Sequence, residues 1–348
     1  MNQSRTFRLL VGAAALVIVV AGVKAAAGIV APTMLALALT IVFHPIRVYL
    51  EGKAPTWVAT TVVLAAAYLM IILFTLAMVV PLGQMAALVP TYAPQINDDL
   101  GDIGSWLQGR GVDSGQAETL VKALDPEKLV GVVSSLLSSI AGVLGDLFFV
   151  VMLLVFLAVD SAYVGRITEV TRAHRPQWVE AMSSFAHGTR SYLGVSAVFG
   201  LIVAVLDAAL LWAMGVPGAF VWGVLAFVTN FIPNIGFIIG LIPPALVALL
   251  DSGPGLMVAV ILVYCLLNLV IQSIIQPRYV GEAVGLSTSL TFLSLIFWTW
   301  VLGPLGALMA VPMSLLFKAI LVEADPEAGW LDAIISGRPD DHPSETVP

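Results

Sequence analysis

Apolar residues in this chain follow one another without the polar positions that would mark a single exposed face of a helix or strand. Long apolar runs cover Leu9 to Val23, Ala25 to Phe43, Trp57 to Val80, Gly188 to Met214 and Leu256 to Gln276. Several reach the ~20 residues that a helix needs to cross a ~30 Å hydrocarbon layer. This pattern predicts an all-α, polytopic helical membrane protein with about eight transmembrane helices. Two other apolar stretches, 218–250 and 287–321, are too long for one span. A straight helix over 218–250 would measure roughly 50 Å, and both stretches contain residues hostile to helices. Pro233-Asn-Ile-Gly236 and Pro243-Pro244 interrupt the first, Gly303-Pro304 and Gly306 the second. Broken or re-entrant segments are therefore expected at both places, with crossing and re-entry equally open.

Taken in order, residues 1–80 read as a three-span membrane segment whose first two runs are short enough for a tight hairpin. Small residues at Ala25-Ala-Ala27 also suit a cleavage site, but the further spans that follow favour an uncleaved first helix. Residues 81–146 form an extracytoplasmic insert of amphipathic helices, near Gly115 to Leu124 and near Asp125 to Leu144, where Asp125-Pro126-Glu127 suits a helix start. Residues 147–322 make the main membrane core, with a short fourth span near Leu147 to Val159 and a cytoplasmic basic linker at 160–190. Residues 323–348 are an acidic cytoplasmic tail carrying Trp330, Leu331, Ile334 and Ile335.

Composition agrees. Hydrophobic residues make up 59% of the 348 and charged residues 11%, and mean hydropathy is +1.01. The formal net charge of −7 arises in the loops: acidic residues collect in 81–146 and after Lys318, and no basic footprint for nucleic acid is present. Basic residues lie at Arg5, Arg8, Arg47, Lys53, Arg166, Arg172, Arg175 and Arg190. The positive-inside rule then places the N-terminus, the 44–56 link and the 160–190 linker in the cytoplasm. The linker could bind anionic lipid, but a topology anchor is the simpler account. The lone Cys265 excludes an intramolecular disulfide.

Candidate chemistry gathers around the breaks. Irregular backbone at membrane depth is tolerated only where protein or water satisfies it, which makes Asn230, Pro233, Asn234 and Gly236 a candidate solute path. Tyr264, Asn268, Gln272 and Gln276 recur every four residues and form one polar helix stripe. Such stripes either bond helices together or line a path, and the neighbouring break favours the path. Asp207 is the ionisable residue best placed within a span. It is either an ion- or proton-coupling group or an acid reaching the nearby outer interface. Trp298 and Trp300 are expected at an interface. No HExxH, GxSxG or P-loop is present, and His44, His174, His187 and His342 fall in predicted loops or tails. Enzymatic activity, a metal site and a cofactor are accordingly not expected.

Asn230-Phe-Ile-Pro-Asn-Ile-Gly236 with Pro243-Pro244, Gln276-Pro-Arg278, Gly281, Gly285-Leu-Ser-Thr288, Leu293-Ser-Leu-Ile-Phe-Trp298, Gly303-Pro-Leu-Gly306 and Val311-Pro312 together resemble the autoinducer-2 exporter (PerM-like permease) family. Their order and spacing agree over roughly 100 residues, while residues 1–190 are similar in layout only. The resemblance implies a multi-pass transporter of the bacterial inner membrane with both termini cytoplasmic. Its partners would be membrane lipid, a small polar solute or a monovalent cation, and further copies of the chain in a homo-oligomer. Export of a solute such as autoinducer-2 is the main expectation, and sodium or lithium ion/proton antiport the alternative. A non-transporting membrane scaffold is the reading of another class, and it has no use for broken helices. Where many relatives carry Glu before the proline, this chain has Gln276, an amide that carries no proton. Asp207 is then the best remaining carboxylate for coupling.

Overall fold

The computed structural model describes residues 5–109, 115, 131, 135, 138, 149–233, 235–276, 285–325 and 328–337. Apart from residues 115, 131, 135 and 138, the helices predicted near 115–124 and 125–144 lie outside these residues, as does Asn234. Among the described residues the fold is entirely helical. The helices are α1 (Arg5–Ala25), α2 (Ala27–Glu51) and α3 (Thr56–Gly109), then α4 (Phe149–Asp160). A 3₁₀ turn at Ser161–Tyr163 leads into α5 (Val164–His174) and α6 (Pro176–Ala213). The second half contains α7 (Ala219–Thr229), α8 (Gly236–Ser252) and α9 (Pro254–Asn268), the last extended by a π-helical segment, Leu269–Ile275. It closes with α10 (Thr288–Leu302), α11 (Pro304–Leu308), α12 (Ala310–Lys318) with a π-helical extension at Ala319–Glu323, and α13 (Trp330–Ser336).

Four of these helices are long and apolar enough to cross a membrane, or five if the pair α4 and α5, bent by 68°, counts as one span. The predicted hairpin between the first two runs has no loop. Ala26 alone separates α1 from α2, and the bonds Ala26 N–H to Gly22 O and Val30 N–H to Ala26 O continue across it. One residue flanked by helical hydrogen bonds bends a chain but does not reverse it. At Arg175 the backbone leaves the helical region (φ −144°, ψ 71°), which the following Pro176 disfavours. From Pro176 helix α6 runs 38 residues, roughly 57 Å, so the basic linker is helical and joins the fifth span without a loop.

The chain divides into two compact units, one of residues 1–68, 146–194 and 279–348, the other of residues 69–145 and 195–278. Each unit contains one of the predicted breaks, and each break is a tight helical reversal. In the second unit, α7 and α8 run antiparallel. A Cβ added to Gly236 would lie 1.8 Å from the Thr229 carbonyl oxygen, and Gly240 sits against Ala226 and the Thr229 hydroxyl. The turn bonds its own backbone: Asn230 N–H to Ala226 O, Ile232 N–H to Thr229 O, Ile235 N–H to Pro233 O and Gly236 N–H to Ile232 O. At 11 residues, roughly 16 Å, α7 alone is too short to cross the hydrocarbon layer.

In the first unit, α10 reverses at Gly303 (φ 70°). A Cβ on Gly306 would lie 2.0 Å from the Trp298 carbonyl oxygen. Trp298 is 5% exposed and donates its indole N–H to the Ser314 hydroxyl at 3.0 Å. It is therefore a strut between the arms of the reversal and not an interfacial anchor. Trp300, 59% exposed, stays on the outside with Lys24 over its ring at 3.7 Å.

Both reversals depend on backbone contacts that only glycine permits. Gly236→Ala and Gly306→Ala should each destabilise the protein by about 3 kcal/mol. Thermal unfolding of the detergent-solubilised variants checks this, with Gly255→Ala, where added carbon meets open space, as the neutral comparison.

Candidate functional site

The second unit holds a column of buried polar side chains on α6, α7 and α9. Its positions follow from close helix approach. Ser196, Gly200, Ala204 and Ala208 recur every four residues along α6, a ridge of small residues that lets another helix come near. α7 lies on this ridge in the opposite sense. Gly223 meets Ala204 and Ala208, and Asn230 meets Gly200, where an added Cβ would come within 2.9 Å of the Asn230 amide nitrogen. Because Gly200 has no side chain, the Asn230 amide reaches past it and donates to the Ser196 carbonyl at 3.1 Å. From the other side Gln272 donates its amide to Asn230 Oδ1 at 2.7 Å. Asn230, at the mouth of the broken turn, thus ties α6, α7 and the π-helical end of α9 together.

The π segment explains why the four-residue stripe stays in line. In an α-helix, four-residue steps advance the face by roughly 40° each. The wider i→i+5 turns of a π-helix wind more slowly and cancel that drift. Tyr264 and Asn268 on the α-helical part are buried, and Gln272 and Gln276 on the π part and just after it are half-buried. Asn268 donates to the Tyr264 carbonyl at 2.8 Å, and its Oδ1 accepts nothing.

Roughly 16 Å along α6 from Ser196, Asp207 is 0% exposed. The alternative of an acid reaching the outer interface is thereby corrected: the carboxylate points into the unit, beside Tyr264. Neither carboxylate oxygen nor the Tyr264 hydroxyl has a hydrogen bond of good geometry. The surroundings are apolar, with Leu211, Trp222, Val260 and Tyr264 in one buried cluster. An isolated buried carboxylate costs several kcal/mol, so its charge has to be cancelled by a proton or by a cation.

The structure thus brings Asn230 and Gln272 into contact. It places Pro233 and Gly236 in the turn beside them, Asn268 in the same column, and Gln276 at its far end. Ser196, Gly200 and the Asp207–Tyr264 pairing were not singled out from the sequence, although the four-residue recurrence of small side chains on α6 was the available signal.

The sequence of the chain matches a known family of membrane proteins. The profile described as AI-2E family transporter matches residues 13–324. The chain belongs to the AI-2E transporter family. A Haemophilus influenzae protein, assigned to transport provisionally by its name and given no substrate there, is 31% identical over 331 residues, 93% of this chain and 95% of that protein. The AI-2 transport protein TqsA of Escherichia coli K12 is 29% identical over 307 residues, 88% of this chain and 89% of TqsA. YhhT of the same strain, also named provisionally for transport, is 27% identical over 311 residues, 89% of each chain. This AI-2E family protein is accordingly a membrane transport protein and not an enzyme.

If Asn230 and Gln272 hold the column together, a double-mutant cycle of Asn230→Ala and Gln272→Ala should show a coupling of about 0.6 to 1.7 kcal/mol. Unfolding free energies of the three variants in detergent measure it.

Proposed function

We propose that this AI-2E family transporter exports a small, polar, uncharged solute of the autoinducer-2 kind, with both chain termini in the cytoplasm. Its path follows the amide chain of Asn230 and Gln272, flanked by Pro233, Asn234 and Gly236 at the turn and by Asn268 and Gln276 along α9. The observation that carries this reading is the hydrogen-bonded series Gln272, Asn230, Ser196 carbonyl, which meets the broken turn between α7 and α8. Side-chain amides both donate and accept, and the carbonyl accepts, so together they can exchange bonds with hydroxyl groups of a passing solute without separating charge. TqsA, similar over most of its length, is named for AI-2 transport.

A second reading has its own observation. Asp207, buried with no ionic partner among the described residues and with Tyr264 beside it, is the kind of group that a sodium or lithium ion/proton antiporter needs, because cation and proton must compete for one carboxylate. A scaffold without transport has neither use for the broken turn nor reason to bury Asp207.

Purified protein in liposomes separates these readings. Labelled autoinducer-2 should move with the wild type, and about tenfold more slowly with Asn230→Leu or Gln272→Leu, the equivalent of roughly 1.4 kcal/mol. Sodium- or lithium-driven pH change that disappears in Asp207→Asn, with no movement of autoinducer-2, would replace the first reading with the second. Movement of neither would remove both.

A further inference from the structure

The reversal between α10 and α12 borders a cavity that the transport reading does not use. It lies within the first unit and measures about 420 Å³, inside the roughly 300–1,000 Å³ range of ligand pockets. Three helices each turn one face to it. α1 contributes Leu16, Val19, Val20 and Val23, and α10 a face running from Leu290 through Leu293 and Phe297 to Val301. α12 and its extension add Ser314, Phe317 and Leu321. Spacings of three and four residues keep each set on one side of its helix.

The floor and the rim of this cavity differ. Trp298, Val301 and Val322 on the floor are buried, whereas Leu16, Val19, Leu293 and Leu321 at the rim are exposed. The cavity is therefore a trough that opens sideways between α1 and the reversal. Every residue of α1 from Val11 to Val19 is apolar and exposed, so in a membrane protein the trough opens to hydrocarbon.

Its polar groups are already engaged. The Trp298 indole N–H is taken by the Ser314 hydroxyl, which itself donates to the Ala310 carbonyl at 2.9 Å. Lys318 stands at one end, with Asp332 at 2.8 Å, Glu323 at 3.2 Å and the Gly285 carbonyl at 3.2 Å from its Nζ. Three acceptors surround its three donors, which leaves little for a polar or anionic ligand to gain.

The dimensions select the occupant. From Leu290 to Val301 the lining extends roughly 16 Å along α10, close to the ~15 Å depth of one leaflet's hydrocarbon. Spread over that length, the volume allows a cross-section of about 26 Å². A helix from a second copy, roughly 10–12 Å across, is too wide for it, and a single hydrocarbon chain is not. Left empty, the trough would forfeit dispersion contacts along its whole lining.

We infer that one acyl chain of a membrane phospholipid fills this trough and wedges α1 against the α10–α12 reversal. Its head group lies at the Lys318 end, and recognition is by the chain and not by the charge of the head.

Native mass spectrometry of the full-length protein tests this with dipalmitoyl phosphatidylethanolamine, its dioctanoyl counterpart and dipalmitoyl phosphatidylglycerol. The wild type should retain the two dipalmitoyl lipids alike and the dioctanoyl lipid about tenfold more weakly. Val20→Trp and Leu290→Trp each place an indole where the chain would lie, and each should lower retention of the dipalmitoyl lipids about tenfold. Ile18→Trp, on the opposite side of α1, should leave it unchanged. If one filling variant fails to fold, the other, on a different helix, gives the same readout. Retention that follows head-group charge or ignores chain length would overturn the inference. Unchanged retention in the filling variants, or an equal loss in Ile18→Trp, would do the same.

Discussion

Backbone groups released by a helix break have no water to turn to inside a membrane, and this constraint shapes both units of the protein. Each break is closed by its own turn hydrogen bonds and by a glycine lying directly on a carbonyl of the preceding helix, Gly236 on Thr229 and Gly306 on Trp298. With so little room between the arms, the side chains at the reversal are fixed in place. Asn230 is fixed facing Gly200 and Ser196, and Trp298 facing Ser314. The two reversals use one geometric device but differ in chemistry: amides and a backbone carbonyl in one, an indole and a hydroxyl in the other.

The polar column follows from the same close packing. Small side chains on α6 allow α7 to approach, and the approach buries Asn230, 8% exposed, where its amide must be satisfied on both sides. Gln272 completes it from a segment whose π-helical winding keeps the stripe facing inward. At the other end of the column Asp207 has Tyr264 beside it and, among the described residues, no cationic partner. One end thus holds neutral amide hydrogen bonds, and the other a buried carboxyl.

Much of this was legible in the sequence, and the reasons are particular. Proline and glycine state their backbone demands locally, so the breaks at Pro233 to Gly236 and at Gly303 to Gly306 could be located from the chain alone. The stripe on α9 could be read because polar residues stand out in an apolar run. What could not be read depends on neighbours. Trp298 and Trp300 are two residues apart in similar surroundings, yet one is a buried strut and the other faces outward. Burial of Asp207 depends on Tyr264 and the helices packed around both, none adjacent in sequence. A tight hairpin between the first two runs looked natural because small residues separate them. Alanine is also the strongest helix former, and the chain passes through Ala26 with its hydrogen bonds nearly unbroken.

The central claim is that the column around Asn230 is a closed passage that opens when solute moves. Ser196 supplies its main-chain carbonyl to Asn230, so Ser196→Cys in a Cys265→Ala background keeps that bond. The measurement is its reaction with a membrane-impermeant thiol reagent in proteoliposomes, with and without a gradient of transported solute. The account predicts a buried, unreactive thiol at rest that becomes reactive during transport. A thiol that stays inert while solute crosses would contradict it.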